Sequence, residues 1–130
     1  MIEFRLDARS GVPTYLQLVQ QVKQAVRLGI LHPGDQLPTV KEVVAGLAIN
    51  PNTVLKAYRE LDLEGLTEGR RGQGTFVSSA LPPLEPDRIA ALRASLREWV
   101  ESARAAGFEE ETMAAIFADT VRPASAMRVA

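Results

Sequence analysis

Residues 50 to 77 constrain this chain more tightly than any other stretch. Asn50 is a helix-capping residue, and Pro51 follows at the first helical position, where no backbone donor is lost. Val54, Ala57, Tyr58, Leu61 and Leu63 then recur at helical spacing, and Gly65 is the expected stop. Leu66-Thr67-Glu68 and Thr75-Phe76-Val77 flank the run Gly69-Arg70-Arg71-Gly72-Gln73-Gly74, which predicts a hairpin with two arginines at its tip. A helix with small polar residues at its start, followed at once by a basic-tipped hairpin, suits contact with two grooves of double-stranded DNA.

The preceding residues fit the same scheme. Residues 2 to 12 are extended and of mixed polarity. Pro13 and Thr14 open a helix predicted to run to about Leu31, with Leu16, Val19, Val22, Ala25, Val26 and Ile30 near the 3.6-residue repeat. His32-Pro33-Gly34-Asp35 is a turn. Thr39, with Glu42 three residues on, completes a capping box for a short helix from about Val40 to Leu47, whose apolar face is Val43, Val44 and Leu47. Only Ala48 and Ile49 separate it from Asn50, so the two short helices form a helix-turn-helix candidate.

Beyond the hairpin the character of the chain changes. Ser78 to Pro86 holds three prolines and few charges and reads as a linker. Asp87 begins a long helix to about Ala106, in which Ile89, Leu92, Leu96, Trp99, Val100 and Ala103 make a narrow apolar stripe of the kind that seals an oligomer. A last helix, about Glu109 to Thr120, carries Met113, Ile116 and Phe117 on one side and three glutamates in its first turn. Val121 to Ala130 is expected to be a frayed tail.

Composition narrows the chemistry. The 130 residues allow one ordinary domain, or a small domain plus an oligomerisation element. The net charge is −1, so a nucleic-acid surface requires its cations concentrated on one face. There is no cysteine, which removes disulfides, thiolate metal sites and cysteine nucleophiles and fits a reducing cytoplasm. No apolar run approaches the ~18 residues of a membrane span, and no signal peptide is expected. The single histidine, His32, has no second ligand nearby, so no metal or cofactor is expected, and no catalytic triad or phosphate-binding glycine loop can be assembled.

The candidate contact residues fall into groups. Asn50, Pro51, Asn52 and Thr53 open the third helix and are not needed by a core; an asparagine amide can read adenine and a threonine methyl can touch thymine. By themselves they are only a well-capped helix start, and it is the flanking helix and hairpin that favour DNA. Arg70 and Arg71, set among glycines, can meet phosphates or a minor groove. Lys41, in the first turn of the second helix beside Thr39, is placed for the DNA backbone, and Lys56 lies one turn into the third helix. Arg59 is better read as a solvated residue near Glu60 and Asp62. Tyr15 could donate to a phosphate or simply pack, with nothing to decide between the two.

The chain resembles the GntR family of bacterial transcription regulators. The resemblance rests on Pro13-Thr14-Tyr15-Leu16-Gln17, Gly29 through Pro38, Lys41-Glu42, Asn50 through Tyr58, Leu61, Glu64-Gly65-Leu66, and Gly72 through Val77, and covers roughly residues 10 to 78. It implies a winged helix-turn-helix. Only about 50 residues follow the wing, too few for the family's larger effector-binding domains, and two short helices there resemble the YtrA-type subfamily. That likeness implies dimers, autoregulation and a link to transporter genes. It also places Lys41 where an arginine commonly contacts DNA, Asn50 to Thr53 at the base-reading end of the recognition helix, and Arg70, Arg71 and Gln73 on the wing. Lysine cannot form the forked pair to guanine that arginine forms. Ala48 stands where the family often has glycine; a positive φ there would strain it.

The expected architecture is mainly α with a small β-wing: a winged helix-turn-helix over residues 1–78, a linker over 79–86, a two-helix dimerisation segment over 87–120 and a tail over 121–130. The expected function is a cytoplasmic, dimeric repressor that reads an inverted repeat in double-stranded DNA. An effector is left open, and no membrane partner is expected. The rival is a winged-helix module that binds protein; it would expose apolar residues at the start of the third helix. An enzyme is a distant third.

Overall fold

The computed structural model describes residues 2–82 and 85–122. They form two compact units, residues 1–86 and 87–130 by chain position. The first contains α1 (Thr14–Arg27), α2 (Val40–Leu47), α3 (Pro51–Leu63) and the antiparallel pair β1 (Thr67–Arg70) and β2 (Gly74–Val77); the second contains α4 (Pro86–Ala105) and α5 (Glu110–Val121), α4 starting at the junction. Across the described residues the chain is mainly helical with one two-stranded sheet, a winged helix-turn-helix followed by two helices.

The core of the first unit is aliphatic. Leu18, Val19 and Val22 of α1, Val43 of α2, and Val54, Ala57, Tyr58 and Leu61 of α3 are buried together with Leu31, Leu37, Val77 and Ile2. Each large aliphatic side chain removed from water contributes roughly 1.5–3 kcal/mol. Tyr58 adds a directional tie: its hydroxyl donates to the Pro38 carbonyl at 2.5 Å, just ahead of α2. Burial, and secondarily the Glu42 charge, push its pKa well above that of a free phenol.

Some helix ends, and one side-chain assignment, differ from those the sequence suggests. α1 ends at Arg27 rather than near Leu31, because Gly29 takes φ +75° and the Ile30 and Gly29 amides donate back to Ala25 and Val26. Ile30 therefore leaves the helix and is exposed, while Leu31 turns into the core. Gly65 stops α3 in the same way, where it is expected to, but Leu63, assigned to the apolar stripe, faces water. α5 runs one residue into the expected tail, to Val121; residues 123–130 lie outside the described residues.

The segment before α2 is sewn to the wing. Gly34 donates to Val77, Val77 to Asp35, and Leu37 to Thr75, with Gln36 bridged to Phe76, so residues 34–37 act as a short third strand beside β2. The N-terminal stretch is fixed too. The buried Gln17 amide bonds to the backbone of Asp7 and Val12 and to the Ser10 hydroxyl, and Gln21 exchanges two hydrogen bonds with Arg5.

After β2 the chain does not leave the unit at once. The Ser78 amide donates to Leu66, both the amide and the hydroxyl of Ser79 donate to Glu68, and Leu81 packs against the core. The first residues of the expected linker are thus the root of the wing, and Pro86 is already helical. Pro83 and Leu84, within that linker, lie outside the described residues.

Candidate nucleic-acid interface

The helix-turn-helix is built from two capped starts. Thr39 accepts the Glu42 amide at 3.1 Å and donates its hydroxyl to the Glu42 carboxylate at 3.1 Å, so its side chain is committed to holding α2. Asn50 accepts the Asn52 amide through its Oδ1 at 2.8 Å. Its carboxamide NH2 remains available, and its oxygen keeps one lone pair. Between them Ala48 sits at φ 54°, ψ 45°, in the left-handed region, so the strain expected of alanine in this turn is present.

Two open clefts flank these starts. The first, about 410 Å3, is lined by Thr14, Tyr15, Asn50, Asn52, Thr53 and Lys56 and joins the start of α1 to the start of α3. All six are polar or aromatic donors and none is acidic. Pro51 and Asn52 are exposed, Thr53 half-buried. Tyr15 is half-buried, packs against the core, and also carries the Lys56 ammonium 4.0 Å from its ring centroid, so it packs and still faces the cleft. The second cleft, about 520 Å3, is lined by Thr39, Gly69 to Gly74 and Thr75, and places the start of α2 beside the wing. Lys41, two residues on from Thr39, is exposed.

The wing treats its two arginines differently. The turn is Arg71-Gly72-Gln73, closed by the Gln73 amide on the Arg70 carbonyl at 2.9 Å, with Gly72 at φ +74°. Arg71 and Gln73 therefore stand at the tip and are exposed. Arg70 is not at the tip: it is the last residue of β1, opposite Gly74, with its guanidinium 4.2 Å over the Phe76 ring and 3.8 Å from Glu68. The hydrogen bonds from Ser79, and secondarily Arg70, hold the Glu68 carboxyl below the usual carboxylate range. Gly74 is favoured by its backbone, at φ +123°; a Cβ there would also displace the Gln36 Nε2, 2.8 Å away, which donates to the Gln73 carbonyl at 3.0 Å and braces the tip.

Sequence reasoning missed Leu55, an apolar residue exposed on α3, and the contributions of Thr14 and Thr75 to the clefts. The register of α3 alone could have placed Leu55 on the side away from Val54 and Leu61.

In the second unit, Leu92 and Leu96 of α4 and Ile116 and Phe117 of α5 are exposed, while Ile89, Trp99 and Val100 are half-buried. Met113 and Ala103 are buried within the protomer. Among the described residues no cluster of three or more histidines and carboxylates could hold a metal ion, and no helix is long and apolar enough to cross a membrane.

A helix-turn-helix with a two-stranded wing and polar, carboxylate-free space at the start of its second helix defines a class: winged-helix DNA-binding regulators. Residues 14–77 match the bacterial regulatory proteins of the gntR family, and this chain belongs to that family. The transcriptional repressor YtrA of Bacillus subtilis (strain 168) is 40% identical over 110 residues, spanning 84% of this chain and 85% of YtrA. The structure of YtrA from Sulfolobus acidocaldarius, a GntR-family transcription factor, superposes with a TM-score of 0.55 at 30% identity, covering 78% of this chain and 97% of that one. AraR(DBD), solved in complex with an operator, superposes with a TM-score of 0.52 at 25% identity, covering 59% of this chain and 96% of AraR(DBD). These relatives are transcription regulators rather than enzymes.

Proposed function

We propose that this chain is a cytoplasmic dimeric repressor that binds an inverted repeat and blocks polymerase, with a transporter operon among its targets. The observation that carries the DNA half is the carboxylate-free cleft at the start of α3, set in the same unit as a wing tip bearing Arg71 and Gln73. Asn52, Thr53 and the free amide of Asn50 would read base edges, with Pro51 shaping the helix start and the exposed Leu55 offering a methyl contact to thymine. Lys41, Lys56, Tyr15 and Arg71 would meet phosphates, Arg70 would back the wing from β1, and Thr39 would orient α2 rather than touch DNA. The repressor role rests on the likeness to the repressor YtrA, and the transporter operon on the resemblance to the YtrA-type subfamily.

The dimer half rests on the second unit. Ile89, Leu92, Leu96, Trp99 and Ala103 follow a three-four spacing along α4, and Leu92, Leu96, Ile116 and Phe117 stay in water in a single protomer. A second copy would cover them, joining two winged helices so that both half-sites engage at high effective concentration.

Selection of duplexes from a random pool tests the reading directly. The expected product is an inverted repeat whose half-site centres lie about one helical turn, ~34 Å, or a multiple apart. Light scattering at micromolar protein should give twice the chain mass, and Trp99→Glu should give one chain mass and weak half-site binding. No enriched sequence would overturn the DNA reading; a monomeric wild type would overturn the dimer.

A further inference from the structure

We propose that the Tyr15 ring is the platform that positions the Lys56 ammonium for a DNA phosphate beside the start of α3, so that residues from two helices act as one contact. The inference rests on the DNA-binding reading above and assigns a division of labour within that site. Tyr15 comes from the first turn of α1 and Lys56 from α3, and the ammonium lies 4.0 Å from the ring centroid. The ring is itself held, because Tyr15 packs against the buried cluster around Leu18 and Val54.

Three features make this pair more than a surface contact. First, the helix start beside it cannot serve as an anion site through its own amides. Pro51 has none, the Asn52 amide is taken by the Asn50 side chain, and the Thr53 amide by the Asn50 carbonyl at 3.0 Å. A phosphate in this cleft must find its positive charge on a side chain, and Lys56 is the one cation among the lining residues. Second, no carboxylate lines the cleft to compete for that ammonium. Lys23 of α1 shows the opposite case, its ammonium bound to Glu64 at 2.7 Å. Third, a lysine in water spreads its charge over many rotamers, whereas a ring face confines it. The ammonium can keep the ring on one side while its N–H donors point into the cleft. The Tyr15 hydroxyl makes no hydrogen bond among the described residues and is available to the same phosphate.

The test compares Tyr15→Phe, Tyr15→Leu, Lys56→Gln and the Tyr15→Leu/Lys56→Gln pair on a duplex that the wild type has selected from a random pool. Removing one phosphate contact from each protomer of the dimer lowers the slope of log affinity against log salt by about 1.8, so the gap between Lys56→Gln and wild type should narrow about 12-fold between 50 and 200 mM salt. Tyr15→Leu should lose the same slope, the double variant no more than either single one, and Tyr15→Phe none, since it keeps the ring. In the free protein, the Lys56 Cε protons should be shifted upfield by the ring in wild type and Tyr15→Phe, and return to ordinary positions in Tyr15→Leu. A full slope in folded Tyr15→Leu, or slopes that add in the double variant, would overturn the platform while leaving the DNA reading intact. Unshifted Lys56 protons in the wild type would overturn it without any variant. A wild type that selects no duplex would overturn both.

Discussion

Ala48 offers the sharpest test of how the helix-turn-helix is strained. At φ 54°, ψ 45° it is the one non-glycine residue of positive φ among the described residues. Left-handed backbone costs an L-residue roughly 1–2 kcal/mol, because Cβ crowds the following carbonyl. The methyl group is exposed, so deleting it removes no packing. Against the relief stands the extra freedom of glycine in the unfolded chain, about 0.4–1 kcal/mol. The balance predicts that Ala48→Gly stabilises the first unit by about 0.5–1 kcal/mol. For a unit of this size the melting temperature should rise by on the order of 2–8 °C. Urea titration followed by far-UV circular dichroism should show a higher midpoint with an unchanged slope. Ala48→Val should move the midpoint the other way, since a β-branched residue tolerates this conformation least. If Ala48→Gly leaves the midpoint unmoved or lowers it, the strain is not where the backbone angles put it.

The two wing arginines should separate. Arg71→Ala is expected to weaken selected and random duplexes alike and to lower the salt slope by about 1.8 for a bound dimer, whereas Arg70→Ala, whose guanidinium stacks on Phe76, should lower wing stability as well; equal and purely electrostatic effects would contradict their different settings. Asn52→Ala should cost about 1–3 kcal/mol on the selected duplex and little on random DNA, and an equal loss on both would reduce Asn52 to a spacer. Glu68 should titrate below the ordinary carboxylate range by carboxyl NMR. Because its folded pKa is depressed, its anchoring of Ser79 is in force above the unfolded value and is lost as pH falls through the folded one; Ser79→Ala should return Glu68 toward the ordinary range, and no change would reject the hydrogen bonds as the cause.

Local chemistry explains what could be read from the sequence. Thr39 with Glu42, and Asn50 with Pro51, are caps whose geometry depends on neighbours a few residues away, so α2 and the start of α3 fall where the residues put them. The Gly69–Gly74 run likewise announces a hairpin. Errors arise where periodicity continues past the element that uses it. Ile30 extends an apolar stripe on paper, but Gly29 closes α1 before it by reversing the backbone; Leu63, still within α3, stands two residues from Leu61 and so faces the other side of the helix. The glycine-flanked run puts both arginines at the tip; only the pairing of Arg70 with Gly74 places Arg70 in β1. Met113 has the same spacing as Ile116 and Phe117, and sequence cannot say which of an apolar set is covered inside the protomer. The Gln17 and Gln21 anchors were not legible, since glutamines bonding backbone 5 to 16 residues away leave no periodic trace.

The pairing of residues 34–37 with β2 has a consequence for modularity. It joins points 40 positions apart, as in Gln36 and Phe76, so α2 and α3 lie inside a closed circuit of chain. Closing a flexible circuit of that length costs on the order of 3 kcal/mol beyond a constant, which the clasp and the core must jointly overcome. Amide hydrogens of Leu37 and Val77 should therefore exchange in one cooperative step with those of Val54 and Leu61, and earlier exchange of the clasp alone would show the circuit opening by itself. A helix pair cut free of its hairpin would lose the fastening as well as the contact. Variation in this hairpin is bounded from two sides: its exposed tip is free to change, but its root, from Thr75 to Val77, is part of what keeps α2 and α3 in place.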